Sequence, residues 1–321
     1  MKFIHSCLIA AAAVLPVTAQ ASYPEQPIRL IVPHPAGGSS DILARTMAAA
    51  MSKDLGQSIV VENKGGGNGA IAAQSVALAK PDGYTLLLAT ASTHGINPTL
   101  YNKLSYDAIK DFAPVTLFAT VPNVLVVGPA HKKMMDTREL IDYIKSNPGK
   151  ANMGSAGSGT PGHLAGVMLQ DASELDMVHV PFRGGAPAIS ALIGDQIDFM
   201  FTTIPGALPH IKAGSIKGLA VTSSERSQAL PELPTVAEAA IPGFNAISWH
   251  GLVAPAGTPD AVIEKLYAAA SKALTGEDVG SKLAQEGARA AQMTSEQFGQ
   301  FIQSQIESWG NAVRSSGAQV D

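Results

Sequence analysis

Short apolar runs rich in β-branched residues alternate with amphipathic stretches along most of the chain. Residues 28–32 and 58–63 are compact apolar runs, and residues 41–55 between them repeat their apolar positions every three to four residues. An apolar strand that recurs after each helix is typical of a parallel sheet covered on both faces. The same alternation resumes after residue 123. The pattern therefore predicts an α/β protein made of two successive α/β units.

The tail of the chain is different, because residues 260–274 and 295–316 have helical periodicity and little strand sequence accompanies them. Such helices need a sheet to pack against, and the first unit is their expected host. The chain would then cross between two domains twice, near 121–124 and near 245–249, and two crossing strands form a hinge above a cleft. The predicted domains are a discontinuous first domain, 22–122 plus 247–321, and a second domain, 123–246.

The first 21 residues have the three parts of a signal peptide. Lys2 provides the positive region, CLIAAAAVLPV is an apolar core too short to span a bilayer comfortably, and Ala19-Gln20-Ala21 is a small-residue cleavage site. We therefore expect export with cleavage near Ala21, and residues 1–21 are excluded from the fold.

Removing this segment changes the chemistry of the mature chain. The single cysteine, Cys7, is lost with it, which excludes disulfides and thiolate metal sites. Loss of Lys2 leaves 21 basic against 26 acidic residues, so the formal net charge changes from −4 to −5. An acidic chain with 5% aromatic residues argues against nucleic acid as a partner. An anionic ligand would have to be held by local geometry rather than by long-range attraction.

Three glycine-rich loops each precede a predicted helix: the first loop is 35–40 (PAGGSS, before Asp41), the second 63–70 (NKGGGNGA) and the third 154–163 (GSAGSGTPGH). Glycine leaves main-chain N–H groups unshielded, and the first amides of a helix are unpaired at the positive end of its dipole. A carboxylate or a phosphate can bind there without lysine or arginine. Glycine turns with serine caps are also ordinary strand-to-helix connections, so each loop has a purely structural alternative. The third loop is the strongest candidate site and the second the weakest.

Motifs for nucleotide binding and for catalysis are missing from the sequence. No glycine loop carries the P-loop Gly-Lys-Ser/Thr, and the first loop lacks the third glycine of a Rossmann turn. Gly-x-Ser-x-Gly and His-Glu-x-x-His do not occur, and the seven histidines after the signal peptide are scattered rather than set at metal-ligand spacing. We therefore predict a binding protein with no catalytic residues, no cofactor and no metal. An exported hydrolase or isomerase is the alternative, and Asp41 with His34 or His94 is its only candidate pair.

Asp41 and Arg183 are the charged residues nearest to these loops. A carboxylate at the mouth of an anion site would repel the ligand, so we interpret Asp41 as a cap or a loop brace, or as an acceptor for a ligand hydroxyl, ammonium or water. Arg183 in VPFRGG is the nearest placed positive charge, and a solvent-facing position is the favoured interpretation for it.

Ten segments in order resemble the Bug family of periplasmic solute receptors, the binding-protein component of tripartite tricarboxylate transporters. They include YPEQPIRLIVPHPAGGSSDILAR, KPDGYTLL, NPGKANMGSAGSGTPGHLAG, HVPFRGGAPAI and GLVAPAGTP, and together the ten run along nearly the whole mature chain. The resemblance implies a type II periplasmic-binding-protein fold, with two α/β domains, a two-strand hinge and a cleft for small carboxylates. It also implies a periplasmic location, a monomer and membrane permease subunits as partners. A receptor that signals to a membrane sensor kinase would need the same cleft and remains the alternative.

The resemblance also carries a set of site residues onto this sequence. One ligand carboxylate would be held by backbone amides and hydroxyls, and the other end would be reached partly through water. The implied ligand-binding residues are Ala36, Gly37, Gly38, Ser39 and Asp41; Ser92, Thr93 and His94; Ser155, Gly157, Ser158, Gly159, Thr160 and His163; and Thr202 and Thr203.

Two positions that depart from the family pattern affect the expected ligand. His34 stands where the family often has an aromatic or other apolar side chain, and Thr202 where an aspartate or asparagine is common. Without an acidic group at this position, an ammonium-bearing ligand loses a partner. The hypothesis is that the protein prefers a simple carboxylate to an amino acid.

Overall fold

The structure is a computed structural model that describes residues 23–320, so the predicted signal peptide and its cleavage site lie outside the described residues. Ten strands and eleven helices are formed by these residues. The strands are β1 (Ile28–Val32), β2 (Ile59–Asn63), β3 (Thr85–Thr90), β4 (Phe112–Val127), β5 (Asn152–Ser155), β6 (Val178–Pro181), β7 (Phe199–Thr203), β8 (Lys217–Val221), β9 (Ile247–Pro255) and β10 (Arg289–Ala290).

The helices are α1 (Ser39–Leu55), α2 (Ala70–Ala77), α3 (Asn97–Leu100), α4 (Thr137–Ser146), α5 (Pro161–Ser173), α6 (Gly185–Ile193), α7 (Ile204–Lys212), α8 (Val236–Ala239), α9 (Asp260–Thr275), α10 (Glu277–Gln285) and α11 (Ser295–Ser316). Shorter turns are 3-10 helical at Gly67–Gly69 and Pro129–His131 and π-helical at Ser92–Ile96. None of the described helices combines the length and apolar character needed to cross a membrane.

The strands form one sheet with two halves. The first half-sheet has the order β2-β1-β3-β9-β4, with β10 also on β4, and the second has the order β6-β5-β7-β4, with β8 also on β4. In each half the first three strands are parallel and the next strand is antiparallel to them. We call the first half-sheet with α1–α3 and α9–α11 the first lobe, and the second half-sheet with α4–α8 the second lobe.

Strand β4 belongs to both lobes. Its pairing with β9 ends at Pro122, opposite Ile247, and its pairing with β7 begins at Asn123, opposite Thr203. The chain returns to the first half-sheet where β9 begins. Domain boundaries at 122/123 and 246/247 therefore coincide with changes of strand partner, and they remain our proposal for the division of the chain.

The predicted elements agree best where a cap and a clear period occur together. Helix α11 spans the predicted 295–316, because Thr294 and Gln297 form a capping box at its start. Helix α1 begins at Ser39 rather than at the predicted Asp41, since Gly38 serves as its N-cap. The sequence pattern does not predict residues 112–122 of β4 as strand, and Pro114 and Pro122 explain why, because proline is unusual inside a ladder.

Apolar side chains fill both faces of the first half-sheet. Met47 and Met51 of α1 and Leu266 of α9 cover one face, and Phe298 of α11 packs edge-on against Trp249 of β9 on the other. All these side chains are at most 1% exposed. Burial of side chains of this size contributes about 1.5 to 3 kcal/mol each before entropic costs. The packed sheet is a rigid base for the loops at its edges.

The carboxyl ends of the parallel strands carry the three glycine loops. The first and second loops follow β1 and β2, and the third follows β5 in the other lobe. Ligands of open α/β sheets bind at this edge. The two edges face each other, because Asn68 Nδ2 of the second loop lies 3.3 Å from the Gly159 carbonyl of the third. The fold thus places the predicted loops on opposite sides of one cleft.

Candidate functional site

The first loop leads from β1 into α1 and leaves main-chain donors free of side-chain caps. Gly38 is the N-cap with an extended backbone, and no side chain caps the helix. The amides of Ser39 and Ser40 therefore lie at the positive end of a 17-residue helix without a side-chain acceptor. Ala36, Gly37 and Gly38 are exposed. The Ser39 hydroxyl is buried and has no hydrogen-bond partner among the described residues. This arrangement can accept an anion.

Asp41 braces the first loop from inside. Its side chain is 6% exposed, Gly37 N–H donates to Oδ2 at 2.9 Å, and Arg45 Nε lies 2.9 Å from Oδ1. Burial alone would raise the pKa of this carboxyl, but hydrogen bonds from Gly37, Arg45 and Asn63 together hold the pKa below its usual value. Asp41 is therefore a loop brace, one of the roles expected for it, and ligand contact by Asp41 remains a prediction. One consequence is that the Gly37 amide is already occupied.

The third loop uses most of its amides internally. Gly157 N–H donates to Ser155 Oγ at 3.1 Å, Gly159 N–H to His163 Nδ1 at 3.1 Å, and His163 N–H to Thr160 Oγ1 at 3.4 Å. The Thr160 hydroxyl in turn donates to the Gly157 carbonyl at 2.7 Å. Helix α5 is thus capped by its own loop, whereas Ser158 is exposed at the loop tip. The loop is a pre-formed wall with few free donors.

Two histidines lie beneath the third loop. The rings of His163 and His179 stack with centroids 3.8 Å apart, and His179 Nε2 lies 2.7 Å from Ser155 Oγ. Burial, with a smaller effect of His179, lowers the pKa of His163 to about 4, and burial also lowers the pKa of His179. Because Gly159 N–H donates to His163 Nδ1, that nitrogen carries no proton. No local sequence pattern indicates that His179 belongs to this cluster.

The predicted segment Ser92–His94 forms a buried π-helical turn after β3. The Thr93 hydroxyl bonds to the backbone of Thr90 and lies 2.9 Å from His94 Nδ1. The His94 ring packs edge-on against Phe112 at 4.7 Å, and its Nε2 atom is buried without a partner among the described residues. Burial lowers the pKa of His94 to about 3. Ser92 is 4% exposed, and Thr93 and His94 are 0% exposed. Ligand contact by these three residues remains a prediction.

Thr202 and Thr203 end β7 beside two helix starts. Helix α6 has Gly184 as N-cap, helix α7 has Thr203, and neither has a side-chain cap. A Cβ built at Gly185 or at Gly206 would lie 3.9 or 3.8 Å from Thr202 Oγ1, so the hydroxyl lies next to the first turn of both helices. The second lobe therefore offers uncapped amides here rather than at α5.

Two further histidines lie beneath the first loop. His250 of β9 is 5% exposed, and its Nε2 lies 2.9 Å from Ser40 Oγ. Burial, with a smaller effect of His34, lowers the pKa of His250 to about 3, and burial lowers the pKa of His34 to about 4. The Nδ1 atoms of both rings are buried without partners among the described residues. The contact between Ser40 and His250 spans 210 positions, so no local pattern could have revealed it.

The remaining predictions concern Arg183 and metals. Arg183 is exposed, as expected. Within residues 23–320, no group of three or more His, Cys, Asp or Glu side chains could hold a metal ion. The chemistry that the loops offer is hydrogen bonding from amides, hydroxyls and imidazoles.

Comparison with known proteins gives the class of this one. Residues 43–318 match the family described as "Tripartite tricarboxylate transporter family receptor". Protein BugT of Bordetella pertussis is 35% identical over 320 residues, which cover 99% of this chain and 96% of BugT. The chain belongs to this receptor family, and its resemblance to Bug proteins is confirmed.

Solved structures of similar proteins support the fold. The structure "R. palustris Rpa4515 with adipate" has a TM-score of 0.86 at 32% identity, covering 93% of this chain and all of the other. MatC of Rhodopseudomonas palustris, with bound malate, has a TM-score of 0.80 at 36% identity, covering 91% and 100%. The predicted type II periplasmic-binding-protein fold is confirmed. The family consists of periplasmic solute-binding receptors, and solute binding is the role of this chain.

Proposed function

We propose that this protein captures a small organic carboxylate between its lobes by domain closure and delivers it to a tripartite tricarboxylate-type membrane transporter. The observation that carries the proposal is the uncapped start of α1, where the amides of Ser39 and Ser40 lie at the edge of the cleft. A carboxylate there gains charge-assisted hydrogen bonds without a basic side chain. The adipate and malate named for two similar structures are acids of this kind.

The proposed site has one set of donors on each lobe. We assign one carboxylate group to the first loop, and the other end of the ligand to Thr202, Thr203 and the starts of α6 and α7. Two buried atoms without a partner in the described part of the chain support this arrangement: Ser39 Oγ near the first set, and Nδ2 of Asn123, the residue opposite Thr203 in the ladder. Buried polar atoms without partners are rare in folded proteins, and a bound ligand would satisfy them.

Binding and release require no covalent step. The third loop supplies shape, because its amides are held by Ser155, Thr160 and His163. Closure would bring its exposed Ser158 and the first loop to the same ligand, and the remaining implied site residues would line the walls. The hinge between Pro122 and Asn123 and the start of β9 would carry the motion, and we expect a monomer to suffice.

The main test removes both hydrogen-bond donors of Ser39, because proline lacks the hydroxyl as well as the main-chain N–H. Ser39→Pro deletes the Ser39 N–H at the first position of α1, where proline is favoured, and Gly38 already has the extended backbone that a residue before proline needs (φ −85, ψ 170). We expect calorimetry with malate and adipate to show affinity reduced about tenfold or more, because hydrogen bonds to charged groups contribute about 1.5 to 3 kcal/mol.

Asp260→Pro is the matched control for this test. It makes the same change at the first position of α9, which follows the far end of β9, at the opposite edge of the first half-sheet. We expect wild-type affinity from this variant. Equal affinity of wild type and Ser39→Pro for an acid that binds the wild type would reject the first-loop assignment.

Ligand choice tests the role of Thr202. The protein should bind malate or adipate more tightly than aspartate or glutamate, because Thr202 provides no negative charge for an ammonium group. Thr202→Asp should reverse part of this preference. A screen in which aspartate or glutamate binds best to the wild type would contradict the hypothesis.

Delivery and export need separate measurements. Cells lacking the gene should take up the bound acid more slowly, and added mature protein should restore uptake by spheroplasts that contain the permease. Normal uptake with loss of a transcriptional response to the acid would favour the sensor-kinase alternative instead. N-terminal sequencing of the protein from a periplasmic extract should start near Ser22.

A further inference from the structure

The second loop contacts the third loop across the cleft through the side chain of Asn68. Asn68 Nδ2 donates to Asn97 Oδ1 at 3.0 Å and to the Gly159 carbonyl at 3.3 Å. These two bonds use both hydrogens of the amide. Asn68 and Asn97 belong to the first lobe, and Gly159 follows β5 in the second. One amide group therefore connects the two lobes.

The backbone and the neighbours of Asn68 hold this amide in place. Its backbone is left-handed (φ 49, ψ 35), a conformation that asparagine tolerates better than other residues with a side chain. Asn97 is fully buried and donates back to the Asn68 carbonyl at 3.2 Å and to the Tyr106 hydroxyl at 3.1 Å. That hydroxyl donates to the Thr93 carbonyl at 2.7 Å. The amide is thus fixed to the interior of the first lobe before it reaches the second.

The acceptor is equally constrained. A Cβ built at Gly159 would lie 2.4 Å from Leu100 Cδ2, so α3 of the first lobe packs directly on this glycine. The Gly159 N–H is bound to His163, which leaves its carbonyl to face Asn68. The contact between the lobes therefore combines apolar packing of Leu100 against Gly159 with one directional hydrogen bond from Asn68.

We infer that Asn68 is a positioning residue for ligand capture: its amide bonds to the Gly159 carbonyl only when the lobes are closed, and so holds the third loop over the site. The second loop then differs in role from the other two, because it contacts the opposite lobe instead of binding the anion. The inference rests on the proposed function for its ligand, but the closure contact can be tested without one.

The test compares lobe separation in variants of the mature chain. The only cysteine of the sequence, Cys7, lies in the predicted signal peptide, so the mature chain has no thiol that would compete for the label. Leu78 on the first lobe and Met135 on the second are 80% and 71% exposed, and Leu78→Cys and Met135→Cys therefore give unique labelling sites. Spin-label distance distributions then report open and closed forms. Asn68→Gly keeps the left-handed backbone without strain and removes only the amide. We expect its ratio of open to closed molecules to rise about fivefold, the factor that one neutral hydrogen bond contributes.

Two further variants complete the design. Asn68→Asp replaces the donor with a charged acceptor that faces the Asn97 Oδ1 and Gly159 oxygens, so the open fraction should rise more than in Asn68→Gly. Asn147→Ala is the control. It removes a hydrogen bond that is also donated by a side-chain amide, from Asn147 Nδ2 to the Tyr143 carbonyl at 2.9 Å, but that lies within the second lobe. It should leave the distances unchanged.

The outcomes separate this inference from the proposed function. Unchanged distances in both Asn68 variants would overturn the inference, even if malate or adipate binds the wild type. More open Asn68 variants would support it even if the wild type binds neither acid. Where malate or adipate does bind, Asn68→Gly should release it about fivefold faster with little change in association rate, since the contact forms after encounter.

Discussion

The first and third loops follow the central parallel strands β1 and β5 of the two lobes, yet they use their main-chain amides in opposite ways. In the first loop only the Gly37 amide is bound by a side chain, that of Asp41, and the helix start is left uncapped. In the third loop Ser155, Thr160 and His163 bind the amides of the loop itself.

The difference originates in which side chains each sequence supplies. PAGGSS has no acceptor placed to fold back onto its own amides, and its brace comes from Asp41 beyond the loop. GSAGSGTPGH contains hydroxyl and imidazole acceptors two to four residues from the amides that they bind. A glycine-rich loop before a helix is therefore an anion site only when nearby side chains leave its donors free. In the second lobe the uncapped helix starts are that of α6, which follows Gly184, and that of α7, which follows β7 directly.

Acidification should produce the largest effect. Burial lowers the pKa of His163 and His34 to about 4 and of His94 and His250 to about 3, from an ordinary value of 6.5. The unfolded chain therefore takes up protons at a higher pH than the folded one. Stability is fully present above about pH 6.5 and is lost as the pH falls from 6.5 towards 4. Each histidine accounts for up to about 3 kcal/mol of this loss.

His163→Asn isolates the contribution of the third loop. Asparagine keeps an acceptor for the Gly159 amide but does not titrate in this range. Urea unfolding between pH 7 and pH 4.5 should show a slope reduced by about 1.4 kcal/mol per pH unit, the value for one proton. At pH 8 the variant should be less stable than the wild type by about 0.5 to 3 kcal/mol, because it loses the stacking contact with His179. The wild-type slope in the variant would show that His163 is not held neutral by the fold.

Gly162→Ala should disturb the braced loop next most strongly. A Cβ at Gly162, in the first turn of α5, would lie 2.3 Å from the Phe201 carbonyl oxygen, and backbone cannot give way as a side chain can. We expect the free energy of unfolding to fall by about 2 to 3 kcal/mol. Gly38→Ala in the first loop is the matched control, because its Cβ would lie 3.6 Å from the Pro35 carbonyl oxygen, an ordinary contact.

Gly38→Ala should cost less than about 1 kcal/mol. Urea denaturation of both variants at pH 7.5 measures the difference. Similar losses at the two positions would mean that the loops are equally constrained, and the contrast between them would be wrong.

Those parts of the fold that depend on local pattern can be predicted from the sequence. The limits of β1 and α11 agree with the predicted 28–32 and 295–316, because an unbroken apolar run and a capped helical period are local signals. Crossing strands are expected near 121–124 and 245–249, but most of β9 and the first part of β4 are not predicted as strands. Their place in the sheet depends on the crossing between lobes, which no short window of sequence contains.

The site divides in the same way. Glycine loops and helix starts can be recognised from neighbouring residues, and the structure places the first and third loops on the two sides of the cleft. The bonds that occupy their amides are also local, but the other contacts of the glycine loops cannot be recognised in this way, because some of them join residues far apart in the sequence. Ser40 meets His250 across 210 positions and Asn68 meets Gly159 across 91. The long-range contacts, beneath the first loop and between the lobes, are thus the part that required the structure.

Asp41→Asn tests the one brace of the first loop. The amide oxygen of asparagine can still accept from Gly37 N–H, but both bonds lose the negative charge of the carboxylate, and Arg45 loses its ion pair and keeps its hydrogen bond to Asn63 Oδ1 at 3.1 Å. The free energy of unfolding at pH 7 should fall by about 1 to 2 kcal/mol. Because the pKa of Asp41 is lowered in the fold, this contribution is present above about pH 4 and is lost on further acidification.

Asp136→Asn is the control for the acidic brace. Asp136 caps α4 in the second lobe by accepting from Arg138 N–H and Glu139 N–H, and asparagine is an equally good N-cap. Its cost should be a few tenths of a kcal/mol. Equal losses in the two variants would show that Asp41 acts as an ordinary cap.

Apart from the control variants, the smallest expected effect comes from Gly37→Ala in the first loop. Gly37 has a left-handed backbone (φ 80), and a Cβ added there would have no atom within 4 Å, so strain is the only cost, about 1 kcal/mol. Gly56 at the other end of α1 has the same properties (φ 68, nothing within 4 Å), and Gly56→Ala should cost the same. In a chain of this size both should lower the melting temperature by about 2 to 4 °C. A clearly larger drop for Gly37→Ala would mean that the conformation of the first loop is coupled to the rest of the site, and the loop would then resemble the braced third loop more than its open geometry indicates.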